Sequence, residues 1–260
     1  MHYQLLLCAD CDLLYASPVP DSGSLAEAYR DAAYDSSLEA ACAARTYARL
    51  LTPLLNRLPD RVGALDIGTG DGAFLKELLA FGFSEVRGVE PSSAPIAAAA
   101  DHVRPLIHQA PFRRDDFLPQ SLRLVTCFQT LEHVPAPLEL ARGAFSLLKD
   151  GGVMFCVVHN CRALSARILG RRSPIYDIEH LQLFSPRSVH SLFRAAGFQD
   201  IRTKIILNRY PVKYWTKLFP LPASVKNSAI AAANALRIGW LPLTLPAGNL
   251  AVVGFRTRPK

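Results

Sequence analysis

The sequence predicts an α/β fold with a doubly wound, mostly parallel sheet of seven strands. Short apolar runs alternate with segments of helical periodicity from Val62 onward. The first apolar run ends in a glycine-rich turn, 68–72, that opens a helix, which is the order found at nucleotide-cofactor sites on parallel sheets. A last apolar run, 249–255, returns after the sixth run without a crossover helix. It therefore predicts an antiparallel hairpin at one end of the sheet.

The glycine-rich turn is the strongest local signal. The run 62–67 is too short for a helix and predicts a buried first strand. Gly68, Gly70 and Gly72 carry no Cβ, so the backbone can turn tightly and approach a ligand closely. After the turn, apolar residues at helical spacing from Phe74 to Leu79 predict a helix.

Two cofactor classes use such a turn. Gly68-x-Gly70-x-x-Ala73, with Glu90 about 20 residues further on, satisfies a degenerate dinucleotide fingerprint and leaves NAD open as the cofactor. Asp66, two residues before the first glycine, is not required by that fingerprint. Asp-x-Gly-x-Gly followed by Gly72 resembles the first motif of class I S-adenosylmethionine-dependent methyltransferases. A carboxylate there suits a methionyl ammonium, directly or through water.

Glu90 ends the second predicted strand, 85–89, where a carboxylate can accept both ribose hydroxyls. The resemblance often places an acid for the adenine amino group at 110–112, but Ala110, Pro111 and Phe112 stand there. Adenine is then held by apolar contact or by Asp115 or Asp116. We predict as cofactor-binding residues Asp66, Gly68, Thr69, Gly70, Gly72, Glu90, Pro91, Gln129 and Thr130.

The fourth predicted strand, 122–128, runs into Leu131-Glu132-His133-Val134, which resembles the segment after the fourth strand of many small-molecule methyltransferases. Arg123 stands where that family usually has Asp. A histidine with an ordinary pKa near 6.5 is suited to removing a proton from a hydroxyl. His133 is therefore a candidate base, and bracing of the following helix by Glu132 and His133 is the alternative.

Two further histidines follow. His159 ends the fifth predicted strand, 153–158, and His180 opens His-Leu-x-x-Phe-Ser, a second family-like segment. We predict His133, His159 and His180 as candidate catalytic residues, with structural hydrogen bonding as the alternative for His180. The resemblance runs from about residue 60 to 207, with the terminal strand added.

The C-terminal part of the chain is basic. Residues 201–260 contain ten Lys or Arg and no Asp or Glu, so residues 1–200 carry a net charge of −3 within the total of +7. Between the sixth strand and the last lies an insertion, 208–248, in which aromatic and basic residues interleave. This pattern predicts either peripheral membrane contact through 209–240 or a pocket for a bulky anion, and makes nucleic acid an unlikely partner.

The N-terminal part is predicted as residues 1–60, a ribbon remnant followed by a helical lid, ahead of a methyltransferase domain at 61–260. Cys8-x-x-Cys11 resembles the second half of a zinc ribbon, but four ligands are needed, so we predict no metal. Tyr29 and Tyr34 stand where the family covers its cofactor.

No signal peptide and no membrane-spanning run are evident, and six irregularly spaced cysteines fit a reducing cytoplasm. The resemblance implies S-adenosylmethionine as cofactor and methylation of a small molecule, with a sugar or natural product as O- or C-acceptor. An NAD-dependent oxidoreductase and a catalytically silent subunit of the same fold remain alternatives.

Overall fold

The computed structural model describes residues 3–19, 37–219 and 221–257. Tyr29 and Tyr34 lie outside these ranges. In chain order the elements are β1 (Leu5–Leu7), β2 (Leu14–Ala16), α1 (Ser37–Leu55), β3 (Val62–Ile67), α2 (Ala73–Ala80), β4 (Ser84–Val89), α3 (Ser93–Ala98), β5 (Ile107–His108), β6 (Leu122–Phe128), α4 (Pro137–Leu147), β7 (Leu148–His159), α5 (Leu164–Leu169), β8 (Gln182–Leu183), α6 (Pro186–Ala195), β9 (Gln199–Ile205), β10 (Asn208–Pro211), α7 (Val212–Leu218), α8 (Ala223–Ala235), β11 (Pro242–Leu245) and β12 (Asn249–Phe255).

A seven-stranded sheet forms the centre of the fold, in the order β5-β4-β3-β6-β7-β12-β9. The first five strands in this order are parallel, and β12 is antiparallel to both of its neighbours. The predicted doubly wound, mostly parallel sheet is therefore confirmed. The last strand lies between the fifth and sixth strands of the sheet, where it is buried along its whole length.

Two strand boundaries differ from the prediction. The fifth strand, β7, begins at Leu148 rather than at 153, because Gly151 and Gly152 exchange backbone hydrogen bonds with Arg256 and so extend the ladder. The segment 201–207 predicts the sixth strand, but that strand, β9, covers 199–205.

Helices cover both faces of the sheet. On one face α4 and α6 pack on the strands through Ala141, Leu147 and Phe193. On the other face α1 and α2 do the same through Leu51 and Leu75. Strands buried on both faces are expected to be continuously apolar, which is why β3, β6 and β7 were recognisable as short apolar runs.

The insertion 208–248 forms a small unit of its own. Strands β10 and β11 pair antiparallel and enclose α7 and α8. Tyr210 and Trp215 are buried inside the unit, and the Trp215 indole donates a hydrogen bond to the Leu243 carbonyl at 2.8 Å. The insertion is therefore a folded β-α-α-β element.

The N-terminal hairpin is attached to the main domain. Strand β2 pairs with β8, so β1, β2 and β8 form a second sheet. Its third strand, β8, follows His180 in the chain. Asp12 in the hairpin also forms an ion pair with Arg162. The proposed boundary at residue 60 remains a prediction.

Cys8 and Cys11 lie at the hairpin turn. Backbone N–H groups of Cys11 and Asp10 bond to the Cys8 sulfur and lower the pKa of that thiol. In the described part of the chain, no three His, Cys, Asp or Glu side chains are grouped to hold a metal ion. Every helix in these ranges is too short or too polar to cross a bilayer.

Candidate active site

The glycine turn after β3 is held against the end of the neighbouring strand β4. The N–H groups of Gly68 and Thr69 both donate to the Val89 carbonyl, at 2.9 and 3.1 Å. Gly68 has a φ of +72°, and a Cβ on it would lie 2.2 Å from the Thr130 hydroxyl oxygen. Glycine is therefore required here by both backbone conformation and packing.

Glu90 is fixed at the carboxyl end of β4 by two backbone donors. The Gly70 N–H donates to Oε2 at 3.0 Å, and the Ser92 N–H donates to Oε1 at 2.9 Å. Each carboxylate oxygen keeps further acceptor capacity. The carboxylate is thus preoriented for a ligand that presents two hydroxyls, as a ribose does.

A cavity of about 240 Å³ lies over this turn. Its walls include Glu39 and Tyr47 from α1, Asp66, the turn residues 68–71, and Gln129 after β6. Gly70 has a φ of +57°, and a Cβ built on it would meet no protein atom within 4 Å. The backbone at Gly70 therefore faces open space, in which a ligand can approach it closely.

Asp66 lies at the floor of the cavity and is buried. Thr126 donates to its Oδ1 at 2.6 Å, and Thr69 donates to its Oδ2 at 2.8 Å. Burial raises the pKa of Asp66 to about 6, the two threonine hydroxyls lower it, and the Glu90 charge raises it. A cationic group in the cavity would stabilise the carboxylate and lower this pKa.

The other predicted cofactor residues lie around the cavity in different roles. Gln129 lines it with a φ of +49°, a backbone conformation that is unusual for a residue other than glycine. Thr130 donates to the Phe128 carbonyl at 2.9 Å and packs under Gly68. Gly72 packs against Val103, 2.5 Å from where its Cβ would lie, and Pro91 is exposed beside Glu90. Their contacts with a cofactor remain predictions.

The residues considered for adenine lie away from the cavity walls. Phe112 stacks on Phe117 with ring centroids 6.1 Å apart and packs over Gly143 of α4. Asp115 is exposed and forms an ion pair with Arg114 at 2.9 Å. Of the described residues, none of 110–116 belongs to the lining of this cavity.

The three predicted histidines meet at the same edge of the sheet. The His180 ring lies between those of His133 and His159, at centroid distances of 4.8 and 4.9 Å. His180 Nδ1 lies 2.8 Å from the Ile175 carbonyl, and His133 Nδ1 lies 2.9 Å from the Glu179 carbonyl. Because a carbonyl only accepts, the Nδ1 of each of these two rings carries a proton.

His133 and His159 are neutral over the physiological pH range. Burial, together with the neighbouring His180 ring, lowers the pKa of His133 to about 4. Burial lowers the pKa of His159 to about 3, with the same contribution from His180. His133 and His159 therefore add no positive charge at this edge of the sheet.

Glu132 supports this cluster and was expected to brace the next helix. The structure shows a different role, because its Oε1 accepts a hydrogen bond from the His159 N–H at the end of β7. Its Oε2 has no hydrogen-bond partner among the described residues. Burial raises the pKa of Glu132 to about 7. A glutamate next to Leu131, just after the end of a buried strand, was the sequence signal for this buried carboxyl.

A chain of polar side chains behind His159 was not predicted from the sequence. His159 Nδ1 lies 3.1 Å from Asn249 Oδ1, Asn249 donates to Asn208, and Asn208 donates to the Tyr210 hydroxyl. Asn208 and Asn249 are buried at the two ends of the insertion. They come together only because β12 returns beside β7, so spacing along the sequence could not reveal them.

Arg123, which stands where the family usually has Asp, lies at the amino end of β6, whereas the cofactor turn lies at the carboxyl ends of the strands. Its Nε donates to Asp60 at 2.8 Å, and its Nη1 donates to the Asp150 carbonyl at 2.6 Å. The substitution therefore supports the amino end of β6 and leaves the cofactor edge unchanged.

Comparison with known proteins decides the family. A family described as "Methyltransferase domain" matches residues 35–203, more than half of the chain. The chain belongs to this family. The predicted resemblance is thereby confirmed, as is S-adenosylmethionine as the cofactor. Open space at Gly70 and the two-oxygen anchor of Glu90 fit that cofactor.

Curated relatives cover part of the chain. Two proteins named "Ubiquinone biosynthesis O-methyltransferase", from Pseudomonas fluorescens and Pseudomonas putida, are 30% and 29% identical over 154 residues. Each match covers 54% of this chain and 63% of the relative. The aligned region thus spans less than two thirds of these relatives.

Solved structures share the fold at low identity. A SAM-dependent methyltransferase from Archaeoglobus fulgidus superposes with a TM-score of 0.55 at 18% identity, over 90% of this chain and all of that one. A Haemonchus contortus phosphoethanolamine N-methyltransferase in complex with S-adenosyl-L-methionine superposes with a TM-score of 0.52 at 14% identity. This match covers 94% of this chain and 62% of that one. These likenesses support the fold; none of the comparisons supports the NAD alternative.

Proposed function

We propose that this chain transfers the methyl group of S-adenosylmethionine to a hydroxyl of a small-molecule acceptor, with His159 as the base. The main support for this proposal is the tautomer of His159, which is fixed by its hydrogen bond to Asn249. With Nδ1–H donated to Asn249, the other ring nitrogen, Nε2, bears the lone pair that can take a proton. The names of the curated relatives support O-methylation in particular.

The bound cofactor supplies an electrophilic methyl group on its sulfonium, so the protein's task is alignment and proton removal. Glu90 would hold the ribose hydroxyls, and the backbone at Gly70 allows close approach. Asp66, whose pKa is about 6, would face the methionyl ammonium. His159 Nε2 would take the acceptor's proton as its oxygen attacks the methyl group.

Among the three histidines, His159 is the best placed for this role. His133 Nδ1 donates to the Glu179 carbonyl at 2.9 Å, which holds the ring in a structural position. His180 is only 9% exposed and lies between the other two rings. His159 is half-buried, and its position is fixed by Asn249 on one side and Glu132 on the other.

The low basicity of His159 favours an acidic hydroxyl as the acceptor. An imidazole with a pKa of about 3 is a weak base. A phenolic hydroxyl, with a pKa near that of tyrosine at about 10, gives up its proton far more readily than an aliphatic alcohol. We therefore place phenolic or enolic natural products ahead of sugars.

The test measures S-adenosylhomocysteine formation with a panel of phenols, sugars and carboxylic acids. A phenolic substrate should be turned over, and His159→Ala should lower kcat by about a hundredfold, the lower part of the range for loss of a general base. His102→Ala, which changes an exposed histidine, is the matched control and should leave kcat unchanged.

Each opposite result is informative. Turnover of sugars alone would contradict the phenolic acceptor. Full activity of His159→Ala would contradict the base assignment. Calorimetric titration with S-adenosylmethionine is run in parallel with NAD. Absence of S-adenosylmethionine binding would favour the alternative that the chain is a catalytically silent subunit of the same fold.

A further inference from the structure

The insertion exposes an unusual number of large apolar side chains. We call this set the apolar surface, and its members are between 39% and 69% exposed. It consists of Phe219, Leu221, Val225, Leu236, Ile238, Trp240, Leu241 and Leu243. Isolated exposed apolar residues are ordinary, but eight between residues 219 and 243 indicate a contact surface.

These side chains are not needed to fold the insertion. Its interior is already formed by Tyr210, Trp215 and Ala233, which are each at most 6% exposed. The apolar surface lies at the α7–α8 turn and at the α8–β11 connection. Backbone bonds from Val212 to Leu241 and from Lys213 to Gly239 hold that connection beside α7. Between these two ends α8 exposes mainly alanine, asparagine and serine.

The charged side chains of the insertion itself all have one sign. The insertion 208–248 contains five Lys or Arg and no Asp or Glu. Lys217, Arg209 and Arg237 are exposed. The Lys213 ammonium lies 2.9 Å from the centroid of the Trp240 ring, so a cation is in direct contact with the exposed indole.

We propose that the insertion 208–248 docks on the surface of an anionic phospholipid membrane. Aliphatic side chains and an indole would enter the boundary between headgroups and acyl chains, while the lysines and arginines contact lipid phosphates. The proposal does not depend on which acceptor is methylated.

Charge and chemistry distinguish this occupant from two others. A second copy of the chain would bring five further cations against the same face, which is electrostatically unfavourable. Nucleic acid would satisfy the cations but leave Leu236, Ile238 and Leu241 against a polar backbone. An anionic bilayer provides both the negative charge and the apolar phase.

The test is sedimentation of the full chain with vesicles. Phosphatidylcholine vesicles are compared with vesicles of phosphatidylcholine and phosphatidylglycerol in equal parts. The protein should bind the anionic vesicles and be partly released by salt, because screening weakens the electrostatic share of binding. Equal binding to both vesicle types, or to neither, would overturn the proposal.

Variants separate the two contributions. Leu236→Glu with Trp240→Glu should weaken vesicle binding by about tenfold or more, because two apolar side chains no longer enter the bilayer. Leu118→Glu is the matched control, since Leu118 is 76% exposed and lies outside the insertion. Arg209→Gln with Lys217→Gln should weaken binding to anionic vesicles and reduce its salt dependence.

Folding and self-association are checked on the same samples. Melting temperature and S-adenosylhomocysteine affinity should be unchanged in all variants, because the substituted side chains are exposed. Sedimentation velocity without lipid should show one species. Dimers that Leu236→Glu with Trp240→Glu dissociates would assign the apolar surface to contacts between copies and overturn membrane docking.

Discussion

His159 Nδ1 lies 3.1 Å from Asn249 Oδ1, and the two residues are direct partners in the antiparallel strands β7 and β12. The amide group of Asn249 is itself oriented by Asn208, so its oxygen points towards the imidazole. This arrangement puts the proton of the neutral ring on Nδ1 and the lone pair on Nε2. The strand that closes the sheet thus also determines which nitrogen of His159 can act as a base.

The first prediction concerns this pair. Asn249→Ala should lower kcat by up to about a hundredfold, the lower end of a general base's contribution, because either tautomer of His159 becomes accessible. S-Adenosylhomocysteine affinity should stay unchanged. Asn249→Asp keeps an acceptor oxygen and should retain more activity. Nitrogen NMR of His159 reports the tautomer directly, and an unchanged tautomer in Asn249→Ala would contradict the assignment.

The second prediction tests the ribose anchor. Glu90→Ala should weaken S-adenosylhomocysteine binding by about tenfold to a hundredfold, as expected for losing hydrogen bonds to a charged group. Calorimetric titration measures the change. Glu139→Ala removes an exposed carboxylate far from the cavity and serves as the control. Equal affinity of Glu90→Ala and wild type would remove Glu90 from the cofactor site.

The third prediction separates two glycines of the same turn. Gly70→Ala should keep most of the stability, because its Cβ meets no protein atom and only the positive φ costs about 1–2 kcal/mol. Cofactor binding should nevertheless weaken, since the methyl group enters the cavity. Gly72→Ala should instead lower the melting temperature, because its Cβ would lie 2.5 Å from Val103. The opposite pattern would place the ligand elsewhere.

The fourth prediction concerns Glu132 and pH. Burial raises its pKa from 4.5 to about 7 in the folded protein. The folded state therefore keeps a proton that the unfolded chain releases, so this group's stabilisation is present below pH 4.5 and is lost as pH rises towards 7. Glutamine does not ionise, so Glu132→Gln does not lose this stabilisation as the pH rises. Its free energy of unfolding, relative to wild type, should rise by about 1.4 kcal/mol per pH unit across that window.

Urea denaturation at several pH values between 4.5 and 7 measures this difference. Glu139→Gln, which changes an exposed glutamate, provides the reference. Its free energy of unfolding should change with pH in the same way as that of wild type. A Glu132→Gln curve that also runs parallel to that of wild type would mean that the Glu132 carboxyl is ionised in the folded protein throughout.

The fifth prediction concerns Arg123, whose side chain is 13% exposed and paired with Asp60 at 2.8 Å. Arg123→Ala should cost about 1–3 kcal/mol of stability, because Asp60 and the Asp150 carbonyl lose a charged donor. S-Adenosylhomocysteine affinity should not change, since this pair lies at the amino edge of the sheet. A selective loss of affinity at unchanged stability would show that Arg123 acts on the cofactor site.

Local sequence signals predicted the centre of the sheet well because β3, β6 and β7 are apolar and buried on both faces. The turn 68–72 was also predictable, since positive φ values and close packing leave few alternatives to glycine at Gly68 and Gly72. Arg123 shows the limit of motif comparison. The motif shows only that it departs from the family pattern, whereas its position at the amino end of β6, paired with Asp60, gives it a structural role.

The sequence alone determined the fold class, the cofactor turn and Glu90, because each depends on residues close together in the chain. It also identified three histidines without relating them to one another. Only the tertiary structure placed their rings within 5 Å, joined Asn249 to His159 across 90 residues, and buried Glu132 beneath them. These contacts depend on strand order, and β12 enters the sheet between β7 and β9 by long-range pairing that no local periodicity encodes.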